Sequence, residues 1–228
     1  MPNHGADLVV PAGRQARADF IKKNTRLQST NLVPELQLHL ADESLPIWEK
    51  TEEELGELNL PPPYWAFAWA GGQALARYIL DGPELVTGKL VLDLGSGCGL
   101  VSIAAMKAGA AASLAADVDA FATIAAGVNA EANDVTFETT ERDLLDGDVE
   151  GFDIVLVGDL FYEKPLSERV IAFMRRASAA GLPVLVGDPR RSYFPKDLFD
   201  CIAQYDVPVS RELEDNEIKR AAVWKLKK

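Results

Sequence analysis

Two cysteines in 228 residues, Cys98 and Cys201, are too few for a disulfide framework or a four-cysteine zinc site. They read as reduced thiols, the state expected of a cytoplasmic protein. Histidine is equally scarce: His4 falls in a terminal stretch and His39 in an alternating segment, so neither is expected to act as a base or ligand, and no metal is expected. Positive charge is also in deficit. Lysine and arginine number 23 against 35 acidic residues, a net charge of −12, and such a mean field repels phosphate backbones. A nucleic-acid partner is therefore not expected, and a lysine-bearing protein surface is the better match. Long apolar runs are missing as well; Leu100 to Leu114 is broken by Lys107 and Gly109, which excludes a membrane span there. Arg14, Arg17, Lys22, Lys23 and Arg26 could suggest a transit peptide, yet Asp7 and Asp19 lie among them and no apolar signal core follows. No cleaved presequence, no repeat and a monomeric state are the expectations.

The length suits one large α/β domain, residues 61–228, with an N-terminal extension over residues 1–60 packing on it. Within the extension, Gln15–Lys23 has helical spacing and Val33–Leu40 alternates like a half-buried strand. Ser44–Leu58 is acidic and partly helical by pattern. Pro61-Pro62-Pro63 then marks a boundary. A helix follows Gly71-Gly72 and runs through Leu80. From Lys89 strands alternate with helices. The expected strands are Leu90–Leu94, Ser113–Asp117, Val135–Glu138, Ile154–Gly158 and Val184–Gly187. The expected helices are Leu100–Lys107, Ala120–Ala132, Pro165–Ala179 and Pro195–Ala203. This rhythm predicts a parallel sheet with helices on both faces. Two further strands, Asp206–Leu213 and Glu217–Leu226, would close it with a hairpin, giving a Rossmann-like seven-stranded sheet of the class I methyltransferase kind.

The segment Asp93-Leu94-Gly95-Ser96-Gly97-Cys98-Gly99 sits where a buried strand passes into a helix. Glycine there permits backbone angles barred to other residues and lets a ligand approach the main chain. A dinucleotide fingerprint would need glycine at position 100, which is Leu100; the DxGxGxG spacing is the methyltransferase form. Asp93, at the strand's carboxyl end, could meet the cationic amino-acid portion of S-adenosylmethionine. Asp117 ends the next strand, placed to accept from ribose hydroxyls. Asp119 reads as a helix cap. Asp143 either accepts from the adenine amino group or is a solvated loop residue, and Asn129 braces its surroundings. After the fourth strand come Gly158-Asp159-Leu160-Phe161-Tyr162, at the sheet edge where a methyl acceptor would sit. A carboxylate followed by two aromatics suits an aliphatic amine, held by charge and ring faces. Phe161 is balanced between this role and core packing, whereas Tyr162 favours the site.

Asn24–Leu27, Pro61–Asp81, Val91–Gly99, Gly158–Leu166 and the Gly187–Arg191 segment GDPRR together resemble the electron-transfer-flavoprotein β-subunit lysine methyltransferases, bacterial members above all. The resemblance runs from about Phe20 to the C-terminus. It implies an enzyme that moves methyl groups from S-adenosylmethionine to lysine side chains of the flavoprotein β subunit. By position it implies that Trp69, Gly72, Asp93, Gly95, Gly97, Asp117, Asp143 and Asp159 bind cofactor. Asp159 and Tyr162 would serve the acceptor lysine, with Trp65 as a further candidate. Trp69, Phe161 and Tyr162 would desolvate the amine. Methylation of another protein, of the ribosomal-protein type, or of a small amine is the alternative. A non-enzymatic cofactor-binding module is the remaining one.

Overall fold

The computed structural model describes residues 13–41, 62–208 and 218–227. His4, the Ser44–Leu58 segment and Pro61 lie outside the described residues. Helix α1 (Arg14–Asn24) is followed by two short strands, β1 (Arg26–Gln28) and β2 (Leu38–Leu40), paired antiparallel. Ahead of the main sheet come a 3₁₀ turn (Tyr64–Ala66) and helix α2 (Ala70–Asp81). The sheet then alternates β3 (Leu90–Leu94), α3 (Leu100–Lys107), β4 (Ala112–Ala116), α4 (Ala120–Ala132), β5 (Glu138–Thr140), β6 (Ile154–Gly158), α5 (Lys164–Ala179) and β7 (Val184–Asp188). It ends in β8 (Phe199–Pro208) and β9 (Ile218–Leu226). The seven strands run in the order β5-β4-β3-β6-β7-β9-β8, parallel through β7, with β9 antiparallel to both β7 and β8. The expected seven-stranded architecture and its antiparallel closing pair are both present.

Strands buried on two faces need apolar side chains on both, and β3, β6 and β7 supply them. Val91, Ile154, Leu156 and Leu185 face α2 and α3, meeting Leu75, Ile79 and Val101. Leu92, Val155, Val157 and Val186 face the opposite way, onto Phe173 and Met174 of α5 and Trp224 of β9. A third apolar group joins α1 to the 3₁₀ turn and α4. Ile21 of α1 packs with Trp65, Phe67 and the α4 residues Phe121, Ile124 and Val128.

Four expected elements differ. The helix over Pro195–Ala203 is a short 3₁₀ turn (Lys196–Leu198) running straight into β8. There Ala203, Tyr205 and Val207 alternate with exposed neighbours, a period of two that outweighs helix propensity. The strand placed over Asp206–Leu213 accordingly begins seven residues earlier, at Phe199, and residues 209–213 lie outside the described chain. Val33–Leu40 is a strand only over Leu38–Leu40. Pro34 opens a turn in which the Leu36 amide donates to the Val33 carbonyl at 3.2 Å. Both backbone groups of Gln37 then pair with the Asn133 side chain, at 2.9 and 2.6 Å, instead of with a strand. The edge strand β5 starts at Glu138, because Asp134, with φ 54, turns the chain out of α4 and residues 135–137 carry it to the sheet.

Candidate active site

β3 lies between β4 and β6, so successive βα units leave it in opposite directions, and a crevice opens at the strands' carboxyl ends. A cavity of about 510 Å³ occupies it. Small-molecule sites span roughly 300–1,000 Å³. Its floor is the glycine turn. Gly95, Gly97 and Gly99 all have positive φ, at 71°, 51° and 80°. A side chain at Gly95 would strike Leu160 at 2.5 Å and one at Gly99 would strike Ala126 at 2.8 Å, so both positions are closely packed; Gly95, unlike Gly99, also lines the cavity. At Gly97 nothing lies within 4 Å of where a side chain would begin. That open position borders the cavity.

Asp117 borders the same space. Its two oxygens accept from the Gly97 amide at 2.9 Å and the Asp119 amide at 3.0 Å. Each oxygen retains lone-pair capacity towards the cavity. Burial pushes this carboxyl above its ordinary value, against those amide bonds. Asp119 is the cap expected, accepting from the Phe121 amide at 2.8 Å. Asp143 lines the cavity from the far side, paired with Arg169 at 2.9 Å. The Leu145 amide and Arg169 hold its pKa below the ordinary value, outweighing partial burial.

Asp93 and Gly72, both expected at the cofactor, do not line the cavity. The Asp93 carboxylate is buried and turned to the first turn of α3, accepting from the Ser102 amide at 2.9 Å and its hydroxyl at 2.8 Å. Burial pushes it up to about 7. The Gly72 amide donates to Asp159 at 2.7 Å. Asn129 braces the turn as expected: its side chain donates to the Cys98 carbonyl at 2.8 Å and accepts from the His39 amide at 2.6 Å. One buried amide thereby ties β2 to the glycine turn.

At the opposite end stand Asp159 and Tyr162. Asp159 has φ 57, a left-handed conformation that aspartate tolerates better than most residues. Its backbone amide donates to the Gly187 carbonyl at 2.9 Å, fixing the turn to β7. Tyr162 is exposed at the rim, its ring 5.5 Å from that of Tyr64. Burial, first, and Glu163 push its hydroxyl up to about 12, so it stays protonated. Trp69 forms the adjoining wall, its indole N–H donating to the Tyr64 carbonyl at 3.0 Å. Trp65 also borders the cavity and stacks on Phe121 at 5.7 Å. Phe161 does not. It is fully buried against Phe194 and Phe199, so it cannot desolvate an acceptor.

Arg191 was not among the expected site residues. Its Nε and Nη2 reach one oxygen of Asp159 at 3.1 and 2.8 Å, and its guanidinium lies 5.2 Å from the Trp69 ring centre. Asp188 builds the turn that delivers it, accepting from the Arg191 amide at 2.7 Å. Burial and the Asp159 charge push Asp188 up to about 7. The GDPRR segment was the available signal, a charged run after a buried strand's carboxyl end, but nothing in its spacing names a partner.

Comparison with known proteins decides the lineage. The zebrafish (Danio rerio) electron transfer flavoprotein beta subunit lysine methyltransferase is 35% identical over 214 residues, covering 91% of this chain and 82% of that protein. Its rat (Rattus norvegicus) counterpart is 37% identical over 213 residues, covering 90% and 82%. The chain belongs to this lysine methyltransferase family. The family model for ribosomal protein L11 methyltransferase matches residues 73–160, from α2 through the glycine turn to Leu160. A solved ribosomal protein L11 methylase from Lactobacillus delbrueckii subsp. bulgaricus shares the fold at TM-score 0.54 and 20% identity, over 88% of this chain and all of that one. This chain thus has the class I methyltransferase fold. Among the described residues no cluster of side chains could hold a metal ion, and no helix is long and apolar enough to cross a membrane.

Proposed function

We propose that this chain transfers methyl groups from S-adenosylmethionine to lysine side chains of the electron transfer flavoprotein beta subunit. The observation that carries the reading is the shape of one cavity with two chemically distinct ends. One end, the open face of Gly97 beside Asp117, suits a ribose and its neighbouring backbone. The other, with Asp159, Tyr162, Tyr64 and Trp69, suits an aliphatic amine. The family relationship supports the acceptor.

When bound, the sulfonium supplies an activated methyl group whose bonding electrons return to sulfur as the amine lone pair takes the carbon. The chain's own residues then have three tasks. Asp117 holds the ribose hydroxyls, with Asp143 towards the base. Asp93 does its work behind the glycine turn, fixing the N-terminal end of α3, and Gly72 does its work by holding Asp159. Tyr64, Trp69 and Tyr162 line the lysine's path and exclude water from its amine, with Trp65 behind them. A lysine of ordinary pKa costs about 4–5 kcal/mol to deprotonate at pH 7. Apolar ring faces lower that cost by disfavouring the ammonium. Orientation of the neutral amine supplies most of the remaining rate.

Action as a monomer in the cytoplasm is part of this reading, and the two free thiols suit that compartment. Residues 1–60 would serve as an extension on a catalytic domain of residues 61–228. A ribosomal-protein acceptor is the second reading, favoured by the family-model match over residues 73–160. Incubation with labelled donor and either purified β subunit or ribosomal protein L11 separates the two. Label on the β subunit alone supports the proposal, and label on L11 alone overturns it.

A further inference from the structure

The Asp159 carboxylate has no unspent charge to offer an incoming lysine. Arg191 takes one oxygen from two nitrogens, and the Gly72 amide takes the other at 2.7 Å. The ion pair is well covered, with side-chain exposures of 17% for Arg191 and 8% for Asp159, so water screens it little. Arg191 is held from two further directions, by its amide on Asp188 and by its guanidinium beside Trp69. Arg190, the preceding residue, is turned the other way, onto Trp224 at 5.4 Å. A left-handed φ of 67 at Arg190 separates the two side chains. The turn therefore aims one arginine at the cavity and leaves the other exposed over Trp224.

We propose that Arg191 is a specificity-determining residue which cancels the Asp159 charge, so that the acceptor end of the cavity takes lysine as the neutral amine. This rests on the lysine reading given above. The rim attracts the ammonium form, since Asp117, Asp119, Asp143 and Glu163 border the cavity against Arg142 and Arg169, the latter paired with Asp143. At its base the situation reverses. An ammonium there would sit beside a guanidinium and gain nothing from a carboxylate already paired. Its proton leaves to water at the rim, R–NH₃⁺ giving R–NH₂ and H⁺, before the lone pair is used. The ionisable neighbours that shape this field are Asp159, Tyr162 and Glu163 after β6, Asp188 at the end of β7, Tyr64 ahead of α2, Asp117 and Asp119 after β4, Arg142 and Asp143 after β5, and Arg169 on α5. Tyr162 remains neutral throughout the relevant range because its hydroxyl is pushed up to about 12.

Arg191→Gln separates this from a merely structural role. Freed of its partner, Asp159 would favour the ammonium, so the acceptor's pKa in the complex rises. The expected result is a KM for the acceptor protein several-fold lower and a kcat at pH 7 lower by roughly tenfold. The pH midpoint of kcat should move up by about one unit, since each unit is a tenfold change in the neutral fraction. Arg191→Lys, which keeps the charge, should return the midpoint towards that of the wild type. Calorimetry with S-adenosylmethionine and a melting curve show whether each variant is folded. An unchanged midpoint in folded Arg191→Gln, or a raised KM with kcat intact, overturns the proposal. So does a wild-type kcat still rising at about pH 10, near the ordinary lysine value, which needs no variant. Wild-type labelling of the β subunit is the separate control: if it fails, the substrate reading falls, and the same profiles are recorded on the protein band the wild type does label.

Discussion

Gly187 of β7 and Gly71 of α2 touch backbone to backbone: a side chain on Gly187 would overlap the Gly71 carbonyl oxygen, and one on Gly71 would overlap that of Gly187. A Gly71 side chain would also press on Asp159 Oδ2, at 2.6 Å. This contact sets how deeply α2 sits against the sheet, and therefore where the Gly72 amide meets Asp159. Gly187→Ala should cost about 1–3 kcal/mol of stability, the usual penalty for overpacking. It should also reduce methyl transfer by moving Asp159 from its partners. Chemical denaturation paired with a turnover assay checks both; a variant as stable and active as wild type would show that α2 has room to yield.

Gly97→Arg has room for its side chain, since nothing lies within 4 Å of the position, and it fills the space a cofactor needs. Its φ of 51, however, strains any residue other than glycine by about 1–2 kcal/mol. Titration calorimetry should show no binding of S-adenosylmethionine by a folded protein whose melting temperature falls only by the amount that strain accounts for. Unchanged affinity would mean that the cofactor lies elsewhere.

Asp159→Asn keeps the shape of the site and can still accept from Gly72, but it leaves Arg191 without its ionic partner. Cofactor affinity should persist and most methyl transfer should be lost. Near-normal turnover with labelled donor would remove Asp159 from the acceptor end.

Asp93 gives a pH signature in the protein without ligand. Its carboxyl holds its proton in the folded state up to about 7, against an ordinary value of 3.8 in the unfolded chain. Between those values the folded state binds more protons, so stability associated with this group falls as pH rises and levels off above about 7. Asn at position 93 still accepts from Ser102 and carries no such cost. Melting temperatures of Asp93→Asn should therefore gain on the wild type from pH 4 to pH 7, a window bounded by those two values. Parallel curves would show that Asp93 is charged when buried.

Local features were legible in the sequence and distant pairings were not. The Asp93–Gly99 turn is written in residue type and spacing, because both backbone angle and ligand approach demand glycine there. The βαβ rhythm was legible for the same reason, with β3, β6, α3 and α4 falling where their apolar patterns place them. Arg191 and Asp159 are 32 positions apart and meet only because β6 and β7 are neighbours in the sheet. Nothing in either segment announces the other. Phe161 and Tyr162 were adjacent aromatics with opposite fates, since successive residues past a strand end face different ways, one into the core and one to the rim. Residues 195–203 misled because their own composition suits a helix, while β9 offers a strand partner that only the folded sheet supplies.

Mass spectrometry of purified electron transfer flavoprotein beta subunit, before and after incubation with this enzyme and S-adenosylmethionine, tests the central claim most directly. The account predicts whole-methyl mass increments confined to lysine-containing peptides, present with the wild type and largely absent with Asp159→Asn. A subunit that stays unmodified while the enzyme binds S-adenosylmethionine would contradict it.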